Sequence, residues 1–532
     1  MMKIKTKTIR TALFLTLAVA FFNLGIAGQR QRVITKPTPK PTATPTPSPT
    51  PTTTPTPVQT LPSLQAKIRL ALQRPELRRG QIGVKIVSLD TGQTVLEQMG
   101  EKYFMPASNM KVFTVAAAIE KLSPNFKFVT SVYAPARPDE NGTIKGDLRV
   151  YGRGDVSFSS SFDNGDYFKR LDELADRIAG AGVKRIEGDL IGDDSYFRGN
   201  AIPYGWEWDD LQWYYGAEVS ALSFNDNSIV LRVAPGSTGS PCAAQIEPAN
   251  TVFRIINTCQ TGGSKSTLQI VKRLDQNIIE ISGTMPSGDS GFRGSLAVSH
   301  PAGLFAELLR QRLEQKGIVI TGQTRTNLEN RSPSTANGSP EPVEIARLES
   351  VPLSIIAQKT LKPSQNLYTE MILRALGEEA GDKTNAEATS VDKGIAVVRK
   401  FLQEIGAPAD GIVQWDGSGL SRHNLVTPEA VVAVYSHMAK SRYWIAWNAA
   451  LTVGGVDGTL RNRFRGTVAQ ANVRGKTGTI DQVSSLSGYV NSAAGERFVF
   501  SIIVNGVNQQ SVRQSAIDDI VVALADFNGK TE

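Results

Sequence analysis

Apolar residues fall into distinct spacings along this chain, and each spacing predicts a kind of element. Alternation in "IGVKIVSLDTGQTVLEQMG", turning at Asp90-Thr91-Gly92, predicts a β-hairpin. "RFVFSIIVNGV" reads as a further strand. A helical stripe carries Ile517, Ile520, Val521 and Leu524 along "SVRQSAIDDIVVALADF". A third pattern is apolar on nearly every side. After Ser108 come Met110, Val112, Phe113, Val115, Ala116, Ala117 and Ile119, which predicts a deeply buried helix. "YFKRLDELADRIAGAGVKRIEGDLIGDD" reads as helix then strand, and "HPAGLFAELLRQRLEQKGIVITGQ" repeats that order. Between them, about 225–295 is strand-rich, as a small nested domain would be. No repeat of solenoid type is visible.

The chain has 532 residues, too many for one hydrophobic core, so two or three domains are expected. The first 60 residues belong to none of them. "MMKIKTKTIR" is a positive n-region, "TALFLTLAVAFFNLGIAG" an apolar h-region, and Gly25 and Ala27 are small residues placed for a signal-peptidase cut. Residues 1–28 therefore read as a signal peptide, or as an anchor if retained, since the apolar run nearly spans a bilayer. Residues 29–60, with "KPTPKPTATPTPSPTPTTTPTPV", read as an extended Pro/Thr-rich linker. An exported protein of the periplasm or cell envelope is expected, placed near membrane or wall where the N-terminal segment is retained.

The net charge of +8 sits in this same stretch. Lys3, Lys5, Lys7, Arg10, Arg30, Arg32, Lys36 and Lys40 face no acid before residue 41, and the other 50 basic residues are matched by 50 acidic ones. A neutral folded part excludes a nucleic-acid partner of the usual basic kind. Two cysteines, Cys242 and Cys259, in an exported chain predict one disulfide closing a short loop. Three histidines, His300, His423 and His437, have neither metal-ligand spacing nor a nucleophile-elbow setting, so no zinc site is expected. A serine enzyme here would need a base other than histidine.

Ser108 and Lys111 supply such a pair. Three residues apart at a helix start, they share a face, and a desolvated lysine has a lowered pKa that lets it take a hydroxyl proton. Alone, S-x-x-K is common by chance, and the pair reads first as a capping serine and a lysine that snorkels to water. Two further motifs change that reading. Ser364-Gln365-Asn366 precedes another apolar helix, and Lys476-Thr477-Gly478 opens a strand-like run. S-x-x-K, S-x-N and K-T-G in this order form the active-serine set of penicillin-binding proteins and serine β-lactamases.

"YFMPASNMKVFTVAAA", "SQNLYTEMILRALG", "WDGSGLSRHN", "VGGVDGTLRNRF" and "RGKTGTI" make the chain resemble, over about residues 62–527, the D-alanyl-D-alanine carboxypeptidase/endopeptidase family of low-molecular-mass penicillin-binding proteins, peptidase family S13. The spacing agrees, because the family has a large insertion between its first two motifs, and Ser108 and Ser364 stand far apart. Gln365 stands where the family often has aspartate, and Arg153 and Val156 where it usually has glycine and proline. The resemblance implies an α+β fold: a penicillin-binding/β-lactamase-like transpeptidase domain, with an antiparallel sheet flanked by helices, made of residues 61–135 and 345–532 and interrupted by an inserted region, 136–344.

It also implies the chemistry. Ser108 is the nucleophile, Lys111 its base, Ser364 a proton relay, Lys476 an electrostatic partner and Asn366 a substrate-orienting amide. Lys476, Thr477, Gly478 and Thr479 form the strand that receives the substrate's terminal carboxylate, Thr479 adding an oxyanion N–H to that of Ser108. The substrates are peptidoglycan stem peptides, with β-lactams as inhibitors and no cofactor or metal. In "YGWEWDDLQWYYGAEVSAL", Trp206, Asp209 and Tyr214 match the inserted stretch that reads the stem's diamino acid, with Asp210 as a competing carboxylate. A local hydrophobic cluster with an acidic edge is the other reading of that stretch. A serine β-lactamase shares the three motifs but not the large insert. A non-catalytic wall-binding scaffold would not need the triplet intact.

Overall fold

The strand Arg497–Asn505 faces two layers at once. Phe498, Phe500, Ile502 and Val504 pack with the terminal helices Leu61–Leu72 and Gln510–Ala525, while Val499 and Ile503 pack with the helix Lys111–Leu122 on the opposite side. Period-2 alternation thus holds three layers together in one strand. The computed structural model describes residues 57–326, 341–408 and 410–532. The predicted leader, and the predicted linker as far as residue 56, lie outside the described residues.

The strand belongs to a six-stranded antiparallel sheet in the order Thr94–Gln98, Gln81–Ser88, Arg497–Asn505, Val483–Asn491, Arg474–Ile480, Thr452–Val453. The predicted hairpin is its edge, and the K-T-G run is its fifth strand. Lys111–Leu122 is buried from Lys111 through Ile119, packed against Asn366–Ala380 and Pro428–Met438. Each large apolar side chain buried there, such as Phe113, contributes roughly 2 kcal/mol. Thr427 starts the last of these helices by accepting from the Ala430 N–H, with Pro428 in the first turn, where a missing N–H costs nothing.

Between the first two motifs the chain makes a long excursion. Val129–Ala134 carries it out and Val343–Glu349 brings it back, the two strands pairing antiparallel. They enter a second, mixed sheet with Leu148–Tyr151, Leu190–Asp193 and Thr324–Thr326. Helices Lys169–Gly180 and Pro301–Gln315 share a core through Leu171, Leu174, Leu304 and Leu308, and each is followed by strands, as predicted. The span from Ser228 to Ala297 is a set of short sheets, and Cys242 and Cys259 are disulfide-bonded within it. Where a glycine and a proline were expected, Arg153 lies over the Tyr151 ring and donates to Ser131 Oγ at 2.9 Å, and Val156 is buried.

Candidate active site

A backbone irregularity sets up the first motif. Ala107 takes a left-handed φ of 48°, and residues Ala107–Met110 form a single 3-10 turn that runs straight into Lys111–Leu122. Ser108 therefore stands one turn ahead of the α-helix and makes no side-chain cap. Its Oγ accepts instead from Lys111 Nζ at 2.9 Å. Lys111 does not snorkel; it is wholly buried and donates also to Asn366 Oδ1 and to the Ser418 carbonyl, both at 2.7 Å. Burial pulls its pKa down to about 7, against the pull of the Asp416 and Glu370 carboxylates. An amine with that pKa is neutral often enough at neutral pH to accept a proton.

The second motif is also strained: Ser364 has φ 67°. The middle residue has a structural task, since Gln365 accepts from the Leu367 N–H at 3.1 Å and caps Asn366–Ala380. That role tolerates a glutamine. Asn366 turns its oxygen to Lys111 and donates its amide N–H to the Tyr215 carbonyl at 2.9 Å.

On the third motif, Lys476 is buried and donates to Ser364 Oγ at 2.9 Å. Burial, and then the nearby Lys111 charge, hold its pKa well below the usual lysine range. Thr477 donates to Thr459 Oγ1 at 2.7 Å, which ties the motif to the "VDGTL" turn. Gly478 is needed for space, because a Cβ there would stand 2.5 Å from the Pro106 carbonyl oxygen and 3.0 Å from the Ser108 nitrogen. The strand can pass the nucleophile this closely only without a side chain.

Behind these motifs lies a buried charged cluster that the motifs do not announce. Glu370 accepts from the Gly417 and Ser418 N–H groups at 2.9 and 2.8 Å and pairs with Arg374 at 3.1 Å. Burial, reinforced by Asp416, pushes the Glu370 carboxyl up to about 7. Asp416 accepts from the Gly419 and Ser421 N–H groups and from Asn424 Nδ2 at 2.7 to 2.8 Å. The readable signal was Glu370 and Arg374, an i, i+4 charge pair inside an otherwise apolar helix.

The inserted region forms the other wall of a cleft of ≈ 690 Å³. Ser108, Ser364, Asn366 and Thr479 line one side, and Asp209, Asp210 and Tyr214 the other, with Glu207 and Tyr215 beside them. Asp210 is half-buried, and its carboxyl is raised by burial while the Tyr215 hydroxyl donates to it. Glu207 is paired with Arg422 at 2.8 Å, a cleft cation that sequence reading passed over. Among the described residues no ion pair or hydrogen bond engages the exposed Asp209 carboxylate. Trp206 is not part of the lining. It is buried, and its indole N–H donates to Asp416 Oδ2 at 2.9 Å.

The sequence profile of the D-Ala-D-Ala carboxypeptidase 3 (S13) family matches residues 64–527. The chain is 33% identical over 486 residues to a D-alanyl-D-alanine carboxypeptidase of Actinomadura sp. (strain R39), covering 88% of this chain and 86% of that protein. It is 27% identical over 432 residues to the D-alanyl-D-alanine carboxypeptidase DacB of Haemophilus influenzae, covering 80% and 85%. Among solved structures, penicillin binding protein 4 of Haemophilus influenzae superposes with a TM-score of 0.72 at 24% identity, covering 86% of this chain and 98% of that one.

Proposed function

Because the chain belongs to the D-Ala-D-Ala carboxypeptidase 3 (S13) family, a family of serine-type penicillin-binding carboxypeptidases, we propose that it cleaves the terminal D-alanyl-D-alanine bond of peptidoglycan stem peptides with Ser108 as nucleophile. One observation carries the assignment: Ser108 Oγ is 2.9 Å from an amine that is wholly buried and whose pKa is near neutrality. Ser108 Oγ attacks the penultimate carbonyl carbon as Lys111 takes its proton. The N–H groups of Ser108 and Thr479 receive the oxyanion. The C–N bond breaks, and Ser364, hydrogen-bonded by Lys476, relays the proton from Lys111 to the leaving D-alanine amine, which leaves Ser364 a hydroxyl and Lys111 neutral again. Asn366 holds the substrate amide, and Lys476 and Thr477 face its terminal carboxylate. Water then cleaves the Ser108 ester and restores the hydroxyl. A β-lactam enters by the same attack, the amide bond of its ring breaking in place of the dipeptide's.

The inserted wall fits a cation. A stem peptide carries a diamino acid whose free amine suits a carboxylate framed by aromatic faces. Asp209 is the best receptor, since Glu207 already has Arg422 and Asp210 already has Tyr215. Cross-linked stems present a D-alanyl bond of the same kind, so endopeptidase cleavage belongs to the same reading. Export to the periplasm or cell envelope, with the Pro/Thr segment as spacer, completes it.

Purified protein should release D-alanine from uncross-linked pentapeptide muropeptides, and cut cross-linked ones, as read by mass spectrometry. Rapid turnover of penicillin with both muropeptide sets left intact would replace this reading with a β-lactamase.

A further inference from the structure

Lys111 is held by three acceptors, and the inserted region touches the support of two of them. Asn366 Oδ1 faces Lys111 because the Asn366 N–H is occupied by the Tyr215 carbonyl at 2.9 Å. The Ser418 carbonyl faces Lys111 because its loop is wound around Asp416, which gathers the N–H groups of Gly419 and Ser421 and the amide of Asn424. The fourth donor to that carboxylate is the Trp206 indole, at 2.9 Å. From the other side, Glu370 grips Gly417 and Ser418 and is itself held by Arg374. Trp206, Asp416, Glu370 and Arg374 are all buried, so these bonds form where water does not compete.

We infer that the inserted segment 206–215 is part of the mounting of the general base, with Trp206 acting through Asp416, and the Tyr215 main chain through Asn366, as positioning groups for Lys111. The inference rests on the reading of Lys111 as base, but it gives the insert a task separate from substrate recognition. One segment presents Asp209 and Tyr214 to the cleft on one side and locks the catalytic lysine on the other. The charges facing Lys111 are Asp416 on its loop, Glu370 with its partner Arg374 on Asn366–Ala380, and Lys476 on Arg474–Ile480. The two carboxylates favour the protonated amine against its burial, and the Lys111 charge in turn lowers Lys476.

The test is Trp206→Phe, which keeps an aromatic ring and removes only the N–H. Acylation should be measured per titrated active site, with a penicillin lacking any diamino acid and with a stem peptide. Both rates should fall on the order of ten-fold, the loss of one hydrogen bond to a charged group. The acid limb of the pH profile should move upward, because Asp416, relieved of one donor, acts more fully on Lys111. Glu370→Gln should move the same limb downward, and it tests the charged mounting even if Trp206→Phe folds poorly. Slowing of the peptide alone would make Trp206 a specificity residue and overturn the inference. So would slowed acylation with the acid limb unmoved, or unchanged rates in Trp206→Phe. Failure of the underlying reading is separate: acylation that survives in Lys111→Ala removes Lys111 as base whatever Trp206 does.

Discussion

The two walls of the cleft are built on opposite principles. On the motif side, Lys111 and Lys476 are completely buried with their amines hydrogen-bonded, and the backbone is bent at Ala107 and Ser364 to bring the two serines to their lysines. On the inserted side, Asp209 and Tyr214 are exposed and sit on a segment of turns with one short 3-10 helix. The contrast separates bond making from recognition. A lysine serves as a base near neutral pH only when desolvation holds its pKa down, so the chemical wall must be buried and rigid. A carboxylate that receives a cationic side chain must stay charged and reachable, so the recognising wall must be open. Substitutions on the two walls should therefore differ in size and in kind.

The largest effect belongs to Ser108. Ser108→Ala should abolish covalent labelling by a fluorescent penicillin while the thermal unfolding transition stays in place. Labelling that persists would take the nucleophile away from the motif wall. Next is Lys111→Ala, which should slow acylation on the order of a hundred-fold or more, the usual scale for losing a general base. In the unsubstituted protein the neutral amine is the active form. Acylation should thus be weak below pH 7, rise through about 7 where Lys111 loses its proton, and level off above. A profile flat from pH 5.5 to 8.5 would remove Lys111 from that role.

These two effects were legible in the sequence because the motifs are local or ordered. Ser108 and Lys111 share one helical turn, and Ser364, Asn366 and Lys476 stand in fixed order within recognisable helix and strand starts. The two-faced alternation of "RFVFSIIVNGV" and the helix-then-strand order of the insert were equally readable, since they depend on periods of 2 and 3.6. The buried cluster was not, because Trp206, Glu370 and Asp416 meet only in three dimensions. The family match set Trp206 beside Asp209 and Tyr214 as a reader of the diamino acid, whereas in the structure Trp206 is buried and its indole N–H is taken by the buried Asp416. Gln365 shows the reverse case, a departure from the family pattern explained by a helix cap that a glutamine side chain can make.

A smaller effect is expected on the recognising wall. Asp209→Asn should lower kcat/KM for stem peptides with a free side-chain amine by roughly two- to five-fold, the scale of an exposed ion pair. Acetylating that amine should erase the difference, and raising the salt concentration should shrink it. Equal losses for both peptides would mean that the segment supports the site instead of reading the substrate. If Asp209→Asn is silent and Asp210→Asn shows the amine-dependent loss, the receptor is the half-buried carboxylate, and the two walls are less different than their exposure implies.

The smallest effect on the cleft should come from the disulfide, although it stabilises the chain. Cys242 leads into Ala243–Glu247, one edge of the sheet whose other edge, Phe292–Ala297, meets the cleft segment through the Trp213–Leu296 bridge. Ser228–Ala234 lies between those edges, its residues Ile229 and Leu231 fully buried, so loosening the far edge should not reach Trp213. The bond links residues 17 apart, and a loop of that length is stabilised by about 3 kcal/mol at most relative to the open chain. Cys242→Ser with Cys259→Ser should therefore lower the unfolding temperature while leaving the penicillin titre and the acylation rate per site unchanged at temperatures well below it. A fall in peptide hydrolysis with penicillin acylation intact would show instead that the strand-rich region steadies the recognising wall through that bridge. A fall in both would carry the influence through Trp206 and Tyr215 to Lys111, and would join the two walls into one mechanical unit.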